Sequence, residues 1–160
     1  MMTGTIPDVR KEITVEASAK RAWEVFTAHF DSWWPRSHHI GGGEMAAAVI
    51  EPRTGGRWYE RTADGTECDW GRVLAWEPPT RLVLTWEISP EFTRDENRAS
   101  EVEVRFVPLT PDRTRVELIH SKLDVYGEAG AQVRSTVDSD GGWGALLALF
   151  GAELAATVAG

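Results

Sequence analysis

Histidine and glutamate side chains at three places in this chain could perform acid–base chemistry. His120 shares its parity with Val116 and Leu118 in an alternating stretch, so we predict that it faces the packed side of a strand. An imidazole there could donate a hydrogen bond or transfer a proton near neutral pH, or it could be a core histidine satisfied by the protein. Glu60 follows Trp58 at the same parity, and it is either a polar anchor or base inside a cavity or an exposed carboxylate on the convex face.

The adjacent residues His38 and His39 follow the segment WWPRS. Neighbouring residues of an extended segment point in opposite directions, so we expect one of the two to face inward. The chain has no H-E-x-x-H motif and a single cysteine, Cys68. A metal site built from one of these histidines, His120 and a carboxylate stays open, but the pattern favours neither a metal nor a cofactor.

Eight tryptophans accompany these polar residues, which is many for a chain of this length. Pockets that bind small molecules have mostly apolar and aromatic walls with a few polar groups. The alternative is that these rings are ordinary core. We predict that the ligand-binding residues of such a cavity are Trp33, His38, Trp58, Glu60, Trp70, Trp86, His120, Trp143 and Phe150.

The elements that must position these side chains follow from hydrophobic periodicity. Alternation over residues 8–16 predicts a half-buried strand, and Ser18 can cap a helix over about 19–29. Residues 45–122 predict about six consecutive antiparallel strands joined by turns. Asp138, Ser139 or Asp140 can cap an apolar helix at 140–155, which would cover the apolar face of the sheet.

Composition limits the class of protein. The 160 residues are 42% hydrophobic and 26% charged, which predicts one globular domain over 1–160 with its core at about 9–155. The net charge of −8 argues against nucleic acid or an anionic membrane as partner. The start of the sequence lacks the apolar core of a signal peptide, and a lone cysteine fits a reducing compartment, so we predict a cytoplasmic protein.

Several segments, in order, are similar to a known family. They are ITVEASAKRAWEVFT, GGRWYE at 55–60, GRVLAWEPPTRLVLTW at 71–86, the strand ending in His120, and GWGALLALF at 142–150. The chain resembles the START-like (SRPBCC) superfamily, in the bacterial branch related to the C-terminal domain of the activator of heat-shock protein 90 ATPase. The resemblance implies an α+β helix-grip fold, in which a curved antiparallel sheet of six to seven strands wraps around a long C-terminal helix.

The same resemblance leaves three functions open, because the family includes ligand carriers, polyketide cyclases and self-sacrificing resistance proteins. The first is a protein that binds a hydrophobic or aromatic small molecule between sheet and helix. The second is an enzyme of cyclase, aromatase or hydrolase type that uses the same cavity, with His120 or Glu60 as acid or base. The third is a co-chaperone-like interaction module. The sequence does not distinguish a monomer from a homodimer.

Overall fold

A computed structural model of the protein describes residues 6–91, 93–139 and 141–159, with backbone alone for 157–159. Seven strands form one curled antiparallel sheet in the order β1-β7-β6-β5-β4-β3-β2. This confirms the predicted helix-grip arrangement of six to seven strands. The strands are β1 (Val9–Val15), β2 (Met45–Ile50), β3 (Arg57–Thr62), β4 (Glu67–Glu77), β5 (Arg81–Trp86), β6 (Ser100–Thr110) and β7 (Arg113–Ser121).

Strand pairing aligns apolar side chains of neighbouring strands in a row across the sheet. Leu82 lies opposite Val104, which lies opposite Leu118, and all three are fully buried. Since side chains of one parity share one face of a sheet, this row is part of the concave face that the helices cover.

A β-bulge interrupts β4 near its middle. The register between β3 and β4 shifts between Trp58 and Tyr59, and Trp70 is the extra residue on β4. Next to it, a Cβ atom on Gly71 would lie 1.9 Å from the carbonyl oxygen of Thr85, so glycine is required there.

The helices are α1 (Ala19–Thr27), α2 (Phe30–Trp33), α3 (Gly130–Asp138) and α4 (Trp143–Ala159), with a 3₁₀ segment at Leu123–Ala129. Ser18 caps α1 as predicted, because its hydroxyl accepts a hydrogen bond from the Arg21 N–H. The sequence pattern did not predict α2, α3 or the 3₁₀ segment. Asp138 is therefore the last residue of α3 rather than a cap of the long helix, and Asp140 lies outside the described residues.

Helix α4 crosses the concave side of the sheet and packs against α1, α2 and β1. A Cβ atom on Gly151 would lie 2.7 Å from Cδ1 of Ile13, so the absence of a side chain lets the helix approach β1 closely. The buried face of α4 consists of Trp143, Leu146, Leu147, Phe150 and Leu154. In the described part of the chain, no helix is both long and apolar enough to cross a membrane.

Candidate functional site

A cavity of about 390 Å³ opens to solvent between the sheet, α3 and the start of α4. Its volume is in the range of pockets that hold small molecules. Four tryptophans, which we call the cavity cluster, line it: Trp34, Trp70, Trp86 and Trp143. The remaining lining residues are Ser37, His38, His39, Ile40, Ile88, Thr136, Val137, Ser139, Gly141, Gly142 and Leu146.

The rings of the cavity cluster contact one another at tilted and edge-on angles. The Trp34 and Trp70 centroids are 5.2 Å apart, and those of Trp86 and Trp143 are 5.5 Å apart. The Trp34 and Trp143 centroids are 6.1 Å apart, which connects the two pairs. These separations are typical of favourable aromatic pairs, so the wall is held by ring–ring packing from three different parts of the chain.

Hydrogen bonds to the protein occupy three of the four indole N–H groups. Trp34 donates to the backbone oxygen of His38 at 2.8 Å, and Trp70 donates to Glu60 Oε1 at 2.8 Å. Trp143 donates to His120 Nδ1 at 3.0 Å. With these N–H groups satisfied, the rings offer the cavity mainly apolar surface.

A directed chain of hydrogen bonds lies behind Trp143 and Trp86. An indole N–H can only donate, so Nδ1 of His120 carries no hydrogen and Nε2 donates to Ser100 Oγ at 2.8 Å. Ser100 Oγ lies 2.9 Å from the Tyr126 hydroxyl, which donates to the backbone oxygen of Trp86 at 3.2 Å. Burial raises the pKa of Tyr126, so its hydroxyl stays protonated. These hydrogen bonds hold Trp143 and the backbone of Trp86 in position in the cavity wall.

His120 is fully buried, as its strand parity predicts. It stands in the wall behind Trp86 and Trp143 rather than on the cavity surface. Desolvation lowers the pKa of His120 to about 3, so the ring is neutral at physiological pH. Both nitrogens are occupied, which is the satisfied core histidine that the sequence left open, and a part in ligand binding stays a prediction.

Glu60 is completely buried on β3. Its Oε1 accepts hydrogen bonds from the Ile40 N–H at 2.6 Å and from Trp70 Nε1 at 2.8 Å, and its Oε2 accepts one from the Gly41 N–H at 3.1 Å. The carboxylate therefore faces inward and fastens the loop at residues 39–41 to the sheet. The loop and Trp70 stand between Glu60 and the cavity.

Both His38 and His39 line the mouth of the cavity, whereas the sequence predicted that one of them faces inward. The carbonyl of Gly141 accepts a hydrogen bond from Nε2 of His38 at 3.0 Å, and Ser37 Oγ lies 3.0 Å from Nδ1 of the same ring. His38 thereby links the 35–41 loop to the residues that precede α4. Nδ1 of His39 lies 3.2 Å from the Gly41 oxygen and 3.7 Å from Glu60 Oε2.

Comparison with known proteins agrees with this architecture. Residues 16–155 match the family described as Activator of Hsp90 ATPase homolog 1-like protein. The chain belongs to this family. The family resemblance in the sequence is thereby confirmed, while no curated protein matches the chain significantly.

Solved structures of similar proteins share the fold of this family member. The anthrahydroquino-γ-pyrone synthase Txn09, solved as a complex, is 44% identical, with 94% of this chain and 99% of that chain covered and a TM-score of 0.65. CalC, a self-sacrificing resistance protein from Micromonospora echinospora, is 29% identical, with coverages of 94% and 96% and a TM-score of 0.69. Protein NE0264 from Nitrosomonas europaea, at 15% identity, coverages of 94% and 95%, and a TM-score of 0.66, is similar in fold alone.

Five predicted site residues of this family member do not line the cavity: Glu60 and His120, described above, and Trp33, Trp58 and Phe150. Trp33 and Phe150 pack with Phe26 in the core, where the Trp33 indole donates to the Val25 oxygen at 3.2 Å. Trp58 lies behind the cavity wall, with its centroid 5.4 Å from that of Trp70 and 5.7 Å from that of Trp86. Among the described residues, its Nε1 is a buried donor without a partner, which is costly unless a bound molecule or water pairs with it.

Several lining residues of this family member are not predicted from the sequence. Trp34 lines the cavity where the sequence predicts its neighbour Trp33, and Val137 belongs to a helix that the sequence does not predict. The spacing of Gly130, Val133 and Val137 is helical and could have revealed that face of α3. Among the described residues, no group of three His, Cys, Asp or Glu side chains is placed to hold a metal ion.

Proposed function

We propose that this protein binds a flat, polycyclic aromatic molecule in the cavity lined by Trp34, Trp70, Trp86 and Trp143. The observation that carries this proposal is the concentration of four indole rings around one open space of about 390 Å³. Aromatic rings pack favourably on other rings at the separations that these four already have.

The distribution of polarity supports the same type of ligand. Beside the indoles, the lining residues Ile88 and Leu146 are buried, whereas His38 and His39 are half-buried and Ser139 is exposed. A ligand with a ring system at one end and hydroxyl or carbonyl groups at the other would match both parts. The net charge of −8 favours such a small molecule over nucleic acid or an anionic membrane. We also propose that the protein is cytoplasmic, because its single cysteine fits a reducing compartment.

A cyclisation that closes a γ-pyrone ring in the same cavity is the second candidate, favoured by the 44% identity to an anthrahydroquino-γ-pyrone synthase. In such a ring closure, a phenol oxygen forms a bond to a side-chain carbonyl carbon, and the carbonyl oxygen leaves as water. Holding the side chain folded against the ring would supply much of the acceleration. A hydroxyanthraquinone with a 1,3-diketone beside the phenol should lose one water faster with the protein than without it, as measured by mass spectrometry.

Binding can be tested with alizarin, a dihydroxyanthraquinone, by quenching of tryptophan fluorescence. Trp86 and Trp76 are both half-buried on neighbouring strands, but only Trp86 lines the cavity, and Trp76 packs on Trp23 with centroids 4.9 Å apart. Trp86→Ala should weaken alizarin binding about tenfold or more, and Trp76→Ala should leave it within about threefold. Absence of quenching in the unmodified protein, or equal losses in the two variants, would contradict the proposal.

A further inference from the structure

The hydrogen bonds of His39 determine which of its ring nitrogens can meet a ligand. Nδ1 lies 3.2 Å from the carbonyl oxygen of Gly41, and a carbonyl can only accept. In the neutral ring, Nδ1 therefore carries the hydrogen, and Nε2 has a free lone pair. Among the described residues, Nε2 makes no hydrogen bond, and the ring lines the cavity.

Glu60 lies at the same edge of the ring as the Gly41 carbonyl. Its Oε2 is 3.7 Å from Nδ1 of His39, and three N–H donors hold the carboxylate in place. A Cβ atom on Gly41 would lie 2.8 Å from that oxygen, so a glycine is needed for the loop to wrap so closely around the carboxylate. A buried carboxylate near Nδ1 stabilises the positive charge that the ring acquires if Nε2 takes up a proton.

The other histidines differ from His39 in this respect. Both ring nitrogens of His38 and of His120 have hydrogen-bond partners in the protein. His29 is exposed and is not part of the cavity wall. His39 is therefore the cavity-lining histidine whose ring keeps one acceptor nitrogen without a partner in the described part of the protein.

We propose that His39 accepts the proton of a phenolic hydroxyl on the bound aromatic ligand, with Glu60 as its positioning residue. This inference rests on the proposed function and specifies its substrate class as hydroxylated aromatics. The O–H bond breaks, its electron pair stays on the oxygen, and the proton forms a bond to Nε2. The imidazolium keeps its Nδ1–H toward Gly41 and Glu60, and the ligand remains as a phenolate, which is the better nucleophile for a ring closure.

The titratable groups around His39 are Glu60 on β3, His38 next to it in the chain, and Cys68 on β4. Cys68 pairs with Glu60 in the sheet register and lies close to Gly41. Desolvation and then the charge of Glu60 raise the pKa of the Cys68 thiol, so it stays protonated at neutral pH and does not act as a base.

Alizarin reports its own ionisation, because its visible absorption band moves to longer wavelength when the phenol loses its proton. In the unmodified protein, bound alizarin should ionise at a pH about one unit or more below that of free alizarin. His39→Asn retains an amide that can donate to Gly41 but removes the base, so this shift should disappear. His29→Asn, the same change at an exposed site outside the cavity, should keep the shift. Glu60→Gln should reduce it.

Anthraquinone has no hydroxyl group, so its affinity, compared with that of alizarin, distinguishes the loss of a proton acceptor from a general loss of binding. His39→Asn should weaken binding of alizarin while binding of anthraquinone stays within about threefold, and His39→Gln provides a second variant with the same expectation. If the two ligands lose affinity equally, or the bound spectrum is the same with and without His39, the proton-acceptor inference is overturned while binding stands. If neither ligand binds the unmodified protein, the proposed function fails and this inference fails with it.

Discussion

Two groups of aromatic rings lie side by side in this molecule and differ in what they face. The packed cluster consists of Phe26, Phe30, Trp33 and Phe150, with centroids 5.0–6.3 Å apart in the pairs that touch. The cavity cluster has nearly the same separations but opens to a space of about 390 Å³. Trp33 and Trp34 are neighbours in sequence and belong to different clusters.

The difference comes from the position of each ring along α4. Phe150 lies about two turns beyond Trp143, where α1 and α2 pack against the helix. At Trp143 the helix is beginning, and the 35–41 loop and α3 surround the gap without filling it. Residue type therefore does not distinguish core from site in this fold; the distance between elements does.

The largest expected effect compares adjacent leucines of α4. Leu147 is buried and does not line the cavity, whereas Leu146 does. Leu147→Ala should lower the free energy of unfolding by about 3–5 kcal/mol, and Leu146→Ala by about 2 kcal/mol, because part of its surface already faces empty space. Urea unfolding measures both values. Equal losses would mean that the gap at Trp143 closes in solution.

The second prediction concerns the buried His120 in the wall between cavity and sheet. Burial lowers the pKa of His120 to about 3 from its ordinary value of 6.5. Between these two pH values the unfolded chain binds a proton at His120 and the folded chain does not, so stability falls as the pH falls, by at most about 1.4 kcal/mol per pH unit. Below about pH 3 the folded chain also binds the proton, and this loss levels off.

His120→Gln removes that titration and keeps groups that can accept from Trp143 and donate to Ser100. The free energy of unfolding should therefore decrease less steeply in the variant than in the unmodified protein as the pH is lowered from 6.5 to about 4. Carboxylates with lowered pKa values, such as Asp31 and Asp69, contribute equally to both proteins. Identical slopes would show that water reaches His120 from the cavity.

The smallest expected effect comes from the adjacent tryptophans. Trp33→Phe removes the donor to the buried Val25 oxygen and should cost about 1 kcal/mol of stability, with alizarin affinity unchanged. Trp34→Phe removes the same atoms from a ring that lines the cavity, so affinity should fall by a few-fold. Thermal unfolding and alizarin titration of both variants check this pair. If Trp33→Phe weakened alizarin binding and Trp34→Phe did not, Trp33 rather than Trp34 would line the binding site.

Periodicity sufficed for the strands and the long helix because their burial is regular. It failed where elements are short, as in α2 and the 3₁₀ segment, because one or two turns have too few residues to show a period. The bulge in β4 also interrupts the alternation, since Trp70 and Gly71 are buried in succession. In β3, Trp58, Tyr59 and Glu60 are all buried in succession, which hides the period there as well. The inward direction of Glu60 was nevertheless among the predicted alternatives.

The candidate site could be predicted less well than the fold. The alternation along each strand predicted that Trp86 and His120 face inward, but alternation identifies only the face of the sheet on which a side chain lies. Whether an inward side chain meets a ligand or another side chain depends on how closely a distant element approaches. Trp86 borders empty space, whereas His120 is covered by Trp143, which lies 23 residues away.

The central claim is that the gap at the cavity cluster is the binding site, and the eight indole N–H groups report on it directly. In a ¹⁵N–¹H NMR titration with alizarin, the indole signals of Trp34, Trp70, Trp86 and Trp143 should shift the most. Those of Trp23, Trp33 and Trp76, which pack outside the cavity wall, should change little. Shifts concentrated at these three, or no shift at any of the eight, would contradict the account.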